Sequence, residues 1–263
     1  MKTIQVTLSI FITAVRKELL QQWQTKRFLV VLAVFLLFGL GAPVISNMTP
    51  ELIKAEPGGE ELAKLLPPPS AADAVGTYIE FFGTFGYFLA ILLGMNAIAG
   101  EKESGTAGLI LSKPMPRWVF VLSKFTAQSL VYTAAFLVGT LALYYCTTIL
   151  FGAMDAVILI KVNLLLLLWL LIFCAAMLLA STLGRTVATA AGVGLGLLIL
   201  IGLSSNIPHV GKWSPSGLMG WAMELLANPG SAAANHGALI AALALILVFL
   251  IGSMALFERQ EIQ

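Results

Sequence analysis

The sequence is short of charge. Of 263 residues, only 11% are Asp, Glu, Lys or Arg, where a soluble domain carries roughly a quarter. Cysteine is nearly absent, and Cys146 and Cys174 are too few for a disulfide scaffold. Both fall in apolar stretches, where a thiol serves as a small filler. The two histidines, His209 and His236, lack a Cys or carboxylate at metal-ligand spacing. They also lie outside the apolar stretches, where axial haem ligands would be needed. There is no H-E-x-x-H, no G-x-S-x-G and no G-x-x-x-x-G-K-[ST]. The Gly211-Lys212 pair runs into Trp213 and cannot form a phosphate cradle. The chain therefore offers no catalytic constellation and no metal site, so the reading is not an enzyme. Any ATP it uses is bound elsewhere. A net charge of +2 is too small for a nucleic-acid binder.

What is abundant is apolar surface. Hydrophobic residues make up 59% of the chain, and the mean hydropathy is +0.95. This predicts an all-α polytopic membrane protein, a single domain over 1–263. A span needs roughly 20 mostly apolar residues, and six stretches supply them: about Phe28 to Ile45, Tyr78 to Ala99, Phe125 to Phe151, Val162 to Leu183, Val187 to Leu203 and Ala238 to Phe257. They form a bundle over 28–257. The link Gly184-Arg185-Thr186 makes the fourth and fifth an antiparallel hairpin. With the N-terminus inside, eleven of the fifteen Lys and Arg fall in inner segments and four in outer ones. The bias puts both termini in the cytoplasm. Residues 1–27 read as an amphipathic helix on the inner interface, since Ile4, Leu8, Phe11, Val15, Leu19 and Trp23 recur at helical spacing. The basic pair Arg16-Lys17 follows the apolar start, so this is not a cleaved leader.

Charge is missing from the membrane centre as well. Glu80, the deepest acidic residue, falls at the outer end of the second span, at headgroup level. Ion-coupled transporters carry ionisable groups near the midplane, so ion coupling is disfavoured. Ala188, Gly192 and Gly196 form a small-xxx-small line that predicts close helix packing in the fifth span. Polar groups within the spans, such as Tyr87, Asn96, Thr133 and Ser181, do not define a substrate.

The most informative segment joins the second and third spans. It reads Gly100-Glu101-Lys102-Glu103-Ser104-Gly105-Thr106-Ala107-Gly108-Leu109-Ile110-Leu111-Ser112-Lys113-Pro114-Met115-Pro116-Arg117. Two prolines break it, giving a short surface helix, a kink and a second helix entering the third span. The residues suit a coupling element, with an apolar knob at Leu109 to Leu111 and orienting charges at Glu101 to Glu103. They equally suit a solvated interface loop.

The pattern G-E-K-E-x-G-T, then L-S-x-P, then Arg117 and Lys124, resembles the permease subunits of type-2 ABC exporters. The resemblance covers the whole chain. It implies a six-span subunit of an ATP-driven exporter in the cytoplasmic membrane, paired with a second copy or a homologous permease. Two separate ABC ATP-binding subunits would hold ATP and Mg. It assigns residues 100–117 to coupling: Glu101, Lys102, Glu103, Gly105, Thr106, Leu109 and Leu111, with Pro114 and Arg117 as supports. The other reading is a non-transporting assembly or anchoring subunit, or a channel.

The outer loops add two expectations. Segment 46–77 is acidic, with Glu51, Glu56, Glu60, Glu61 and Asp73 against Lys54 and Lys64. Ser70 and Asp73 form a helix-start pattern. Segment 204–237 predicts a short helix from Ser214-Pro215 to Asn228-Pro229-Gly230, with Trp213 and Trp221 at headgroup depth. By the resemblance these two tryptophans are outer-gate candidates.

Overall fold

The computed structural model describes residues 2–111, 115–203, 214–228, 230 and 233–260. Among them the regular structure is helical throughout: α1 Lys2–Gln24, α2 Arg27–Lys54, α3 Gly59–Leu65, α4 Ala71–Gly94, α5 Ala99–Glu103, α6 Thr106–Leu111, α7 Arg117–Phe151, α8 Ala156–Leu183, α9 Val187–Leu203, α10 Ser216–Ala227 and α11 His236–Arg259. The fold is an all-α polytopic membrane bundle. Helices α2, α4 with α5, α7, α8 and α11 are long and apolar enough to cross a membrane. The expected fifth span, α9, has 17 residues, a rise of about 26 Å. That is the short end of the spanning range. The other spans run longer than their apolar runs. α7 begins at Arg117 and α2 continues to Lys54, because their polar ends carry the helix beyond the apolar stretch.

Local chemistry sets the helix starts. Ser70 and Asp73 form a reciprocal capping box on α4, with the Ser70 N–H donating to Asp73 Oδ2 at 2.8 Å. Asp155 accepts from the Val157 N–H at 2.8 Å to start α8, and Asn235 accepts from the Ala238 N–H at 3.0 Å to start α11. Pro215 precedes α10.

Helix α8 is the axis of the bundle and touches α4, α7, α9, α10 and α11. It is apolar all round because it is enclosed. Residues from Ile172 to Leu178 are buried in succession. Helices α2 and α7 cross at glycines: a Cβ on Gly39 would lie 2.3 Å from the Gly139 carbonyl oxygen, the close approach that small residues allow in membranes. Around that crossing Phe35, Phe82 and Phe136 form a ring cluster, with centroids 4.8–5.0 Å apart, knitting α2, α4 and α7.

The small-residue line of α9 does not pack within this chain. Gly192 and Gly196 are exposed, with nothing within 4 Å of a Cβ at either, and Ala188 is exposed too. The packed line of α9 is Ala190, Gly194 and Leu198, and a Cβ on Gly194 would meet Met177 Sδ at 2.2 Å. Two residues further along a helix is about 200° around it. The small residues at 188, 192 and 196 therefore face away from α8.

Candidate functional site

We call the end carrying α1, α5 and α6 the basal end, and the end carrying α3 and α10 the apical end. The second span does not run straight into the basal loop. Helix α4 stops at Gly94 and α5 starts at Ala99. Such a break frees backbone groups that must find partners inside the bundle. Ser181 of α8 supplies them: its hydroxyl accepts from the N–H groups of Ile98 and Ala99, both at 2.9 Å, and bonds the Met95 carbonyl at 3.1 Å. Above the break, a Cβ on Gly94 would lie 2.5 Å from that of Met177, so α4 and α8 are in backbone-close contact there.

Past the break, three consecutive charges go to three different places. Glu101 is buried, and its Oε1 accepts from Lys17 at 3.0 Å and Lys124 at 2.9 Å. Glu18 Oε1 accepts from the same two lysines, at 2.8 and 3.1 Å. The four groups close a ring of alternating charge joining α1, α5 and α7. Lys124 is enclosed within it and also lies 4.8 Å from the centre of the Phe120 ring. Burial pushes the Glu18 carboxyl up, but the ammonium groups of Lys124 and Lys17 outweigh it and hold it below its ordinary value of 4.5. Burial likewise lowers the Lys17 amine, yet Glu18 and Glu101 leave it raised above 10.5.

Lys102 turns the other way. Its ammonium donates to the Thr182 carbonyl, and at 3.4 Å to the Gly184 carbonyl, at the open C-terminal end of α8. Glu103 Oε2 accepts from the Val187 N–H at 2.8 Å, at the N-terminus of α9. Both placements suit the helix dipole, a cation on the carbonyl end and an anion on the amide end. Arg117, after the loop, donates to the carbonyls of Phe257, Glu258 and Gln260 at 3.1, 2.9 and 2.7 Å, capping α11. The loop's charges thus fasten the basal ends of α1, α7, α8, α9 and α11 to one short segment.

The exposed part of the loop is the α5–α6 turn, where Glu103, Ser104, Gly105 and Thr106 are all exposed. Gly105 has φ +71°, a left-handed conformation that glycine adopts freely. Ser104 Oγ donates to the Gly100 carbonyl at 2.8 Å, and Thr106 Oγ1 donates to that of Glu101 at 3.3 Å. Ile110 is half-buried against the core. Pro114 and the side chains of Leu109 and Leu111 lie outside the described residues, as does Trp213.

Among the expected site residues, the structure gathers Glu101, Lys102, Glu103, Gly105, Thr106 and Arg117 at the basal end. Glu101 and Lys102 point into the bundle. Their bonds are internal, so they set the loop's position and leave the turn exposed. Trp221 packs against the core, with its indole N–H buried and without a partner among the described residues. Ser181 is a structural anchor of the helix break. Sequence reasoning missed Glu18. The signal for it was an acidic residue on the same side of α1 as Phe11 and Val15. It also missed that Lys124 is enclosed.

On the polar-exposed side, α1 presents Ser9, Thr13 and Gln24, while Leu8, Ile12 and Trp23 form an exposed apolar arc beside the buried face. Two faces, one on the bundle and one apolar toward its surroundings, suit a helix lying along a membrane surface.

Comparison with known proteins agrees with this architecture. A family model described as "ABC-2 family transporter protein" matches residues 12–262, nearly the whole chain. A curated relative from Bacillus subtilis (strain 168), described as the uncharacterized transmembrane protein YxlG, is 25% identical over 258 residues. The match covers 97% of this chain and 99% of that relative.

Proposed function

The chain belongs to the ABC-2 family of transporter proteins, and from that premise we propose that it is the permease subunit of an ATP-driven exporter. As an integral membrane protein of that family it is a transport subunit, with ABC ATP-binding proteins as its general class of partner. In this reading the basal end faces the cytoplasm of the cell's inner membrane and two ATP-binding subunits, carrying ATP and Mg, bind there. A second copy or a homologous permease completes the path.

The observation that carries this reading is the basal loop. A segment that receives force from a partner must present something outward and hold something inward. The α5–α6 turn is exposed at Glu103 to Thr106, and the same segment is bonded to four other helices, α1, α7, α8 and α9. Closure of the ATP-binding subunits would push the turn, and the ionic ring would carry the push to α1 and α7. Lys102 and Glu103 would carry it to α8 and α9. The Ser181 anchor fixes where the second span can bend. Such a chain of bonded elements is the physical requirement for coupling between distant ends.

The test is a cross-link. Ser104→Cys, bearing a short photoactivatable reagent, is placed in the full chain in its native membrane. We expect a covalent adduct with an ABC ATP-binding protein whose yield changes when ATP is added. An adduct-free turn, with α1 and α7 in place, would overturn the docking role. Recovery of the tagged chain in mild detergent without any ATP-binding protein would overturn the exporter reading.

A further inference from the structure

The apical end holds an open cleft of about 510 Å³. Its walls come from the end of α2, the linker between α3 and α4, the first turns of α4, and α10. This is the size range of small-molecule sites. One part of the lining is apolar, from Pro50, Leu66 and Pro67 to Met223 and Leu226. The polar part has one sign. Asp73 and Glu80 line the cleft, about two turns apart on α4, and none of the described lining residues is Lys, Arg or His. Glu80 is exposed and makes no ion pair among the described residues. The surrounding segment 46–77 carries five acids against two lysines, and one of those, Lys54, is paired to Glu51 at 2.7 Å.

A second observation points to a ligand. Ser46 lines the cleft and is only 3% exposed, yet its hydroxyl has no hydrogen-bond partner among the described residues. A side chain this enclosed normally finds a partner for its hydroxyl, and the cleft is open to it. An anion is a poor occupant. The amide end of α4, which would attract one, is already held by Ser70 and Asp73 in their capping box, and Glu80 repels one. A neutral apolar molecule would leave both carboxylates without a counter-charge.

We infer that this cleft binds a lipophilic cation, its apolar body against Leu66 and Met223 and its charge beside Glu80 and Asp73. The site stands apart from the transport reading; only the further step, that the cation is cargo released or captured at this end, rests on it. The negative rim would concentrate cations before they enter.

Equilibrium dialysis of the full chain in nanodiscs of neutral phosphatidylcholine tests the site without any ATP-binding partner. The probe is tetraphenylphosphonium, with tetraphenylborate as a partner of the same shape and opposite charge, and empty discs give the partition background. We expect a saturable excess of the phosphonium over empty discs, and none of the borate. Glu80→Gln should weaken binding about fivefold, the scale of one exposed charge pair, and Glu80→Lys should remove the saturable excess. Because Glu80 is exposed, both variants should keep the wild-type thermal unfolding profile. Ser46→Leu, which fills the floor and leaves every charge, should also reduce binding. Equal binding of phosphonium and borate, or wild-type binding in Glu80→Lys, would overturn the inference. Absence of a saturable excess overturns it too, and leaves the exporter reading untouched.

Discussion

Glu101 shows how a residue's role depends on where its bonds go. Its carboxylate is enclosed, and one oxygen takes both lysines while the other, Oε2, is buried without a partner. Removing one member of such a ring leaves uncompensated buried charge, which costs about 3–5 kcal/mol. We therefore expect Lys124→Ala and Glu101→Ala each to lower stability by roughly 3 kcal/mol, measured by thermal unfolding in detergent. The double variant should cost less than the two single effects added, because each single change strands the other's partner. The ring also has a pH signature. The Glu18 carboxyl is held below its ordinary 4.5, so the folded state binds its proton more weakly than the unfolded state. Its contribution is complete above the unfolded value and is lost as pH falls through the lower folded value. The stability gap between the wild type and Glu18→Gln should be constant near neutrality and shrink below about pH 4.5. A gap that stays constant down to pH 3 would show that Glu18 is not ionically engaged. The motif residues of this site, Lys124 included, were legible in the sequence, but Glu18 and its pairing with Lys124 were not. No spacing rule joins positions from two remote helices, and charge near a span end is ordinarily solvated.

At the scale of elements, the helices were readable because their signals are local. The apolar runs, the Ser70 and Asp73 box and the Asn228 stop all act within a few residues. What was not readable was which face of each helix meets which neighbour. In a membrane both faces of a span are apolar, so hydrophobicity no longer marks the inner side. That is why the small-residue line of α9 did not reveal which of its faces meets α8. The two lines give a direct comparison. Gly194→Leu must displace Met177 and should loosen α9 from α8, with a lower unfolding temperature. Gly192→Leu meets open space and should leave the isolated chain's unfolding unchanged or slightly improved. The break between α4 and α5 is likewise set from outside, by Ser181. Ser181→Ala leaves the Ile98 and Ala99 amides unpaired and should cost about 1–3 kcal/mol. Amide hydrogen exchange would show faster exchange at positions 98 and 99, and equal protection there would mean that another group holds the break.

Across the whole molecule, composition alone separated a membrane bundle from every soluble class, and the basal loop stood out by the order of its charges, glycines and prolines. The physical consequence of its bonding is that the basal ends of α1, α5, α7, α8, α9 and α11 are joined, while the apical end holds an open cleft between α2, α4 and α10. Motion driven from the basal turn should therefore move the joined ends as one body and change the apical cleft most, since packed interfaces shift as units and do not deform smoothly. This can be checked with two locks in proteoliposomes that also contain the cognate ATP-binding protein. A reducible bis-methanethiosulfonate cross-link between cysteines at Glu103 and Val187 stands in for the hydrogen bond that joins these positions, and it should leave ATP-driven export close to its unlocked rate. A reducible bis-methanethiosulfonate cross-link spanning the cleft, between cysteines at Thr49 and Leu226, should stop export and release it on reduction. If the basal lock is the one that stops export, the α5 to α9 junction opens during the cycle and the joined basal body is wrong.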